Sequence, residues 1–156
     1  MKHLTVFLIL LSLIAPAFAN PASFENIQLV QPDGDKLREI SVRVVFEDNA
    51  MRVVSRSSGA VLKEWDYDAI KAAEYSYTKN PRWKTGLGLG AAGIVFPPLL
   101  LIAIPLGFSK HRRHWVTIRT ENDYAVLKVG KGIRKVFIPA FETRTSIAIK
   151  ALGDNK

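Results

Sequence analysis

The sequence contains no cysteine among its 156 residues. This absence excludes thiol catalysis, zinc–thiolate sites and the lipid-modified cysteine of a bacterial lipoprotein. It also means that no disulfide can stabilise the fold, which must rely on its own core or on a membrane. The GxSxG and HExxH motifs of common hydrolases are missing as well. Because the sequence offers no frame for catalysis, we expect a protein that is not an enzyme.

A more local absence is that of charge between residues 86 and 108, GLGLGAAGIVFPPLLLIAIPLGF. An uncharged apolar run of about 18 residues or more is typical of a segment that lies in lipid. Pro97 and Pro98 lie at the middle of this run, where they remove backbone donors and disfavour helical geometry. We therefore predict a membrane insertion over residues 86–108, folded as a re-entrant helical hairpin with its tip at the two prolines. A single spanning helix of about 34 Å, at 1.5 Å per residue, is the alternative.

The flanks of the insertion match each other in charge and in aromatic residues. Three basic residues precede it and three follow it, and a tryptophan stands on each side. Equal charge suits two ends on the same side of a bilayer, and tryptophan is enriched at the membrane interface. Basic residues beside an apolar segment most often face lipid headgroups. The predicted membrane-binding residues are Trp83, Lys84, Pro97, Pro98, Lys110, Arg112, Arg113 and Trp115.

The first 19 residues have the three parts of a secretory signal peptide. Lys2 and His3 form a basic start, residues 4–14 an apolar centre, and Ala17-Phe18-Ala19 a small-x-small cleavage site. An uncleaved N-terminal anchor is the alternative. We expect export in a bacterium, with the protein at the periplasmic face of the inner membrane. Export argues against nucleic acid as the partner of the basic surface, despite the net charge of +8.

Residues 20–156 are expected to form one mainly β domain. In REISVRVVFED, Ile40, Val42, Val44 and Phe46 occupy alternate positions, the period of a half-buried strand. Turn residues recur at roughly ten-residue spacing, which indicates an antiparallel meander. Residues 133–144 are predicted as the one amphipathic helix, with its apolar face formed by Ile133, Val136, Phe137, Ala140 and Phe141. Pro139 is tolerated in this helix only if the helix starts near Val136, so that the proline lies within a turn of the start.

The stretch VLKEWDYDAIKAAEYSYT resembles the third-to-fourth strand region of bacterial pleckstrin-homology-like (PH-like, GRAM-like) domains. In those domains an apolar–x–aromatic–x–x–Ile step joins two strands, and Trp65, Tyr67 and Ile70 occupy these places here. The closing FIPAFETRTSIAI looks like the helix that plugs one end of the barrel, with Phe137 and Phe141.

This resemblance covers most of residues 26–149 and departs from the family at the apolar insertion and at Pro139. It implies a small antiparallel barrel of about seven strands with a C-terminal helix. It also implies a binding platform rather than an enzyme. It does not imply phosphoinositide binding, which belongs to only some eukaryotic relatives.

Three further patterns have ordinary explanations. Residues 88–93 match GxGxxG, but no crossover helix fits before the proline pair and no acidic residue follows at the required distance. His111 and His114 have a spacing that could hold a metal, yet no third ligand accompanies them and neighbouring arginines repel a cation. The alternating carboxylates of Glu64, Asp66 and Asp68 fit a solvated sheet face. We predict no cofactor and no metal.

The sequence thus predicts an exported PH-like binding module, held on membrane lipid by the insertion and its basic rim. An envelope protein is the other partner that we consider. The alternatives are a single-pass protein with a cytoplasmic C-terminal tail, a subunit of an envelope assembly, and an enzyme acting on envelope lipid.

Overall fold

The structure is a computed structural model that describes residues 22–33, 36–78 and 111–152. The predicted signal peptide and the insertion over residues 86–108 lie outside these ranges, as do Trp83, Lys84, Pro97, Pro98 and Lys110. The elements in chain order are β1 (Ala22–Asp33), β2 (Lys36–Phe46), β3 (Ala50–Ser55), β4 (Val61–Asp66), a 3₁₀ turn (Tyr67–Ala69), β5 (Ile70–Thr78), β6 (Arg113–Thr120), β7 (Tyr124–Val129), helix α1 (Lys131–Thr145) and β8 (Ile149–Ala151). Within the described ranges, no helix is both long and apolar enough to cross a bilayer.

The strands form one sheet in the order β4-β3-β2-β1-β7-β6-β5-β8. All neighbours are antiparallel except β5 and β8, which are parallel. The prediction of a mainly β domain with a C-terminal helix is confirmed. The prediction of a closed barrel is wrong, because the outermost strands of the described sheet, β4 and β8, do not pair with each other. The eighth strand was also not predicted.

Side-chain contacts link two parts of the sheet that are not paired through their backbones. Asp123, in the turn between β6 and β7, forms an ion pair with Lys63 on β4. Its second carboxylate oxygen accepts a hydrogen bond of 3.1 Å from the indole nitrogen of Trp65. The turn itself is fixed, since the backbone nitrogen and the hydroxyl of Thr120 both donate to the Asp123 carbonyl. One carboxylate therefore ties the edge strand β4 to the opposite half of the sheet.

The core lies between the inner face of the sheet and α1. The alternation predicted for β2 is confirmed, since Val42, Val44 and Phe46 are fully buried. Phe137 and Phe141 of α1 are also fully buried, and the Phe137 ring lies 5.7 Å from that of Phe46. Aromatic contacts of this kind add to the free energy gained from burying the rings. Val136, predicted on the same face, is instead 55% exposed.

Helix α1 is longer than predicted. It begins at Lys131, two residues before the predicted start at Ile133, and it continues through Pro139 without starting near Val136. Proline removes the bond to the carbonyl four residues earlier, which belongs to Lys135. Both residues are exposed, so water can satisfy that carbonyl on the solvated side of the helix. The helix ends at Ser146, which adopts the left-handed conformation usual for a glycine at this position (φ 56°).

Strands from both sides of the predicted insertion belong to the same sheet. Thr78 at the end of β5 pairs with Arg113 at the start of β6. Farther from the insertion, β1 pairs with β7 from Ile27 to Val30. The chain therefore leaves the sheet after β5 and returns to the position beside it.

Candidate functional site

A cavity of about 500 Å³ opens near the point where the chain returns from residues 79–110. Its walls come from β1, β2, β5, β6, β7, the end of β3 and the first residue of α1. Five cationic side chains line it: Arg56, Arg112, Arg113, Lys128 and Lys131. No aspartate or glutamate is among the lining residues that the structure describes. The cavity therefore has the charge needed to attract an anion.

Carboxylates just outside the cavity contact Lys128 and Arg56. Lys128 forms an ion pair with Glu39, and Arg56 lies 3.6 Å from Glu25. Arg112 lies over the ring of Tyr77, with its guanidinium carbon 5.9 Å from the ring centroid. Such a contact orients a guanidinium without neutralising its charge.

A β-bulge shapes the wall formed by β1. The register between β1 and β2 shifts between Phe24 and Ile27, and Asn26 has a φ of 58°. A bulge leaves a residue without a ladder partner and bends the strand, and asparagine tolerates this left-handed conformation better than most residues. The bulge places Asn26 and Gln28 in the lining beside Ser41 of β2, so that wall is polar.

The N-terminus of α1 forms another part of the wall. Gly130 precedes the first helical residue, no side chain caps its turn, and no acidic residue lies in that turn. The first backbone N–H groups of a helix lack partners within the helix and carry a partial positive charge. A methyl group added at Gly132 would meet no atom within 4 Å, and one added at Gly130 would meet only a side-chain atom of Ile133 at 3.9 Å. Nothing in the described structure therefore crowds these positions.

Next to the cavity, an aromatic stack holds a histidine. The His114 ring lies 4.6 Å from that of Tyr77 and 6.0 Å from that of Tyr75, with interplanar angles of 23° and 17°. Arg134 donates to the Tyr75 hydroxyl at 2.9 Å, and that hydroxyl lies 2.7 Å from Nδ1 of His114. Because Arg134 can only donate, the Tyr75 hydroxyl is free to donate its own proton to Nδ1. This network assigns the remaining ring proton to Nε2.

The surroundings of His114 favour its neutral form. Burial lowers the pKa of His114 below its usual 6.5, and the positive charges of Arg134 and Lys131 lower it further. An anion bound near these groups would oppose the effect. His114 is therefore a natural reporter of charge in the cavity.

The structure separates the predicted membrane-binding residues into three groups. Arg112 and Arg113 line the cavity and are exposed. Trp115 is only 1% exposed and donates from its indole nitrogen to the Thr78 carbonyl at 3.0 Å, which differs from the predicted position at the headgroups. Its ring packs with Val30 and Val126 on the sheet face opposite the main core. The other five residues lie outside the described ranges.

Sequence reasoning did not identify Arg56, Lys128 or Lys131 as site residues. Arg56 directly follows β3, Lys128 is the next-to-last residue of β7, and Lys131 begins α1, so only the folded sheet brings them to one cavity. The one sequence signal that could have revealed this site is the start of α1, where a lysine stands between two glycines and an anion can reach it.

The carboxylates and histidines considered as metal ligands do not come together. Glu64 forms an ion pair with Arg52 at 2.9 Å, while Asp66 and Asp68 are exposed. His114 is held in the aromatic stack, and His111 is exposed. Among the residues that the structure describes, no group of three His, Asp or Glu is arranged to hold a metal ion.

No protein-family model matches the chain, and no curated protein matches it. Solved structures that are similar to it include the following two. One is described as the structure of the Spt16D Pob3N heterodimer, with 14% identity, a TM-score of 0.48, and coverage of 86% of this chain and 55% of that one. The other is the C-terminal domain of an unknown protein from Leishmania infantum, with 11% identity, a TM-score of 0.41, and coverage of 90% and 98%. The chain spans about half the length of the first structure, and neither likeness bears on function.

Proposed function

We propose that this protein is an exported, membrane-attached binding module without catalytic activity, whose cationic cavity faces anionic headgroups. The observation that carries the proposal is the position of Arg112 and Arg113. They line the cavity and directly follow the predicted insertion in sequence. A segment in lipid would therefore hold the cavity close to the headgroups, where each added cation contributes about 1 kcal/mol.

The pairing of strands across the insertion supports a hairpin rather than a single span. β5 and β6 are neighbours, although residues 79–110 separate them along the chain. A spanning helix would place β1 to β5 on one side of the bilayer and β6, β7 and α1 on the other. Those two pieces could not form the described sheet, and two strands with a helix are too small to bury a core.

The topology can be tested with single cysteines, because the natural chain has none. Ser58→Cys and Glu121→Cys lie in exposed turns before and after the insertion. In intact spheroplasts, a maleimide that cannot cross membranes should label both variants equally. Labelling of Glu121→Cys only after lysis would favour the single-pass alternative, and protection of both cysteines would contradict export of the domain.

Charge reversal tests the role of the cavity in attachment. Arg112→Glu/Arg113→Glu should reduce the preference of the purified chain for vesicles with 20% anionic lipid over neutral vesicles. Lys71→Glu/Lys150→Glu changes the net charge equally at exposed positions outside the cavity lining, and should change that preference less. The effect should weaken in high salt, since exposed charges are screened. Equal loss in both variants would show that only net charge matters.

A further inference from the structure

We propose that the cavity between the β1 bulge and the N-terminus of α1 is a binding site for one phosphomonoester group. The proposal deepens the proposed function and rests on it only for the source of the ligand. A lipid headgroup and a soluble phosphate ester offer the same chemistry to this cavity.

The first reason is the number and type of the charges. A phosphomonoester carries about −1.5 to −2 charge at pH 7 and presents three acceptor oxygens. Arg113 begins β6, Arg112 directly precedes it, and Lys131 begins α1, so cations reach the cavity from two separate segments. Guanidinium groups match the geometry of phosphate oxygens, and lysine adds a compact charge. A carboxylate has a single charge and two acceptor oxygens, so it would use fewer of these donors.

The second reason is the open start of the helix. The first turn of α1 has neither a side-chain cap nor an acidic residue. Gly130 and Gly132 bring no side chain that could cover the backbone N–H groups. Phosphate binds to such N–H groups in many proteins, and glycine allows it to approach the backbone closely. Here the helix start and the arginines line the same cavity.

The third reason is the size of the cavity. A volume of about 500 Å³ falls within the usual range for small-molecule sites and exceeds what a phosphate group alone would fill. The Tyr77 ring, 41% exposed, and the polar side chains of Asn26, Gln28 and Ser41 line the rest. A glycerol or sugar moiety attached to the phosphate would fit the combination of an aromatic wall and hydrogen-bonding groups.

His114 provides a direct reading of binding. The titratable or charged groups around it are Tyr75 and Tyr77 from β5, Arg134 and Lys131 from α1, and Arg112 from the residues before β6. A dianion in the cavity would offset the positive charges of Lys131 and Arg134. The midpoint of the His114 titration, followed by NMR, should therefore rise when the ligand binds.

The test uses the full chain in a neutral detergent, titrated with sn-glycerol 3-phosphate and, in parallel, with glycerol and acetate. Glycerol 3-phosphate should bind and raise the His114 midpoint, and the two controls should do neither. Arg113→Gln and Lys131→Gln should each weaken binding about tenfold, as expected for the loss of one charge-assisted hydrogen bond. Lys71→Gln, an exposed lysine outside the cavity lining, should bind as the natural chain does.

Vesicles distinguish the sources of the phosphate. If Arg113→Gln and Lys131→Gln lose affinity for phosphatidic acid vesicles as well as for glycerol 3-phosphate, the ligand is a lipid headgroup. If they lose affinity for glycerol 3-phosphate alone, the ligand is soluble. Either result supports the phosphomonoester site.

Two results would overturn it. One is binding of glycerol 3-phosphate that neither variant weakens, or no binding at all. The other is equal preference for phosphatidic acid and phosphatidylglycerol vesicles at matched surface charge, together with no rise of the His114 midpoint when glycerol 3-phosphate is added. In that case the sensitivity of vesicle binding to Arg112→Glu/Arg113→Glu would still report separately on the proposed membrane attachment.

Discussion

His114 lies where packing and charge act on the same ring. Stacking between Tyr75 and Tyr77 removes the ring from water, and Arg134 and Lys131 add positive potential. Both effects disfavour the protonated form. No local pattern indicates this environment, because the two tyrosines are separated from His114 by the whole of residues 79–110.

The stability of the protein should fall as the pH falls below 6.5. The pKa of His114 is lowered in the folded state, so the unfolded state binds the proton first on acidification. Stability rises with pH wherever the unfolded state binds more protons, and this contribution is complete above the unfolded pKa of 6.5. The thermal midpoint measured from pH 7.5 to 5.0 should therefore decrease.

The matched comparison is between His114→Gln and His111→Gln. The first variant should have a smaller decrease over this pH range, because its side chain does not titrate. The second, at an exposed position, should behave as the natural chain does. An unchanged pH dependence in His114→Gln would contradict the assignment.

At the scale of the element, α1 is anchored by two rings on one face. Phe137 and Phe141 are fully buried, and Phe137 contacts Phe24 of β1 edge-on at 5.4 Å between centroids. Val136 comes directly before Phe137 in the helix but is largely exposed. Neighbouring residues of similar character thus have opposite roles.

Phe137→Ala should lower the free energy of unfolding by about 3–5 kcal/mol, the usual cost of removing a buried aromatic ring. Val136→Ala should change it by less than about 0.5 kcal/mol, as expected at the surface. Chemical denaturation of both variants checks the pair. Similar losses would mean that α1 packs through a different face.

The elements with strong local patterns were predicted well. The alternation of β2 identified three core residues, Val42, Val44 and Phe46. β8 was missed because three residues hold no period, and the strand exists only through its pairing with β5. Trp115 was misplaced because its burial depends on Val30 and Val126, which are distant in sequence.

At the scale of the whole molecule, the Asp123 side chain links strands that do not pair through their backbones. Its carboxylate joins Lys63 and Trp65 of β4 to the turn between β6 and β7. A sheet that is open in its hydrogen bonding is thereby held together across its two halves. No pattern in the sequence predicts this contact, since the partners lie about 60 residues apart.

Asp123→Asn should lower the free energy of unfolding by about 1–2 kcal/mol, since the hydrogen bonds of a charged group are replaced by weaker ones. Glu121→Gln removes a charge from the same turn at an exposed position and should have little effect. Thermal unfolding of the two variants in parallel measures the difference. An equal effect in the two variants would mean that the stability lost depends on the charge of the turn and not on the contacts of Asp123 with Lys63 and Trp65.

Only part of the candidate site could be predicted from the sequence, because its residues come from distant segments of the chain. Arg112 and Arg113 stood out because they follow an apolar run. Lys128, Lys131 and Arg56 reach the cavity through pairings that join distant segments, such as that of β1 with β7. Local sequence patterns predict individual strands, but which strand ends come together at a cavity depends on the topology of the sheet.

The position of β1 between β2 and β7 also has a consequence for how the chain acquires its structure during synthesis. β1 is made first, yet one of its neighbours ends at Val129, close to the C-terminus. Until that residue leaves the ribosome, one side of β1 lacks its final neighbour, and one side of β5 waits longer still, because its partner β8 ends at Ala151. Contacts between such distant residues form slowly, and exposed strand edges invite wrong pairing in the meantime. For most of its synthesis the growing chain would therefore hold an incomplete sheet with unpaired strand edges.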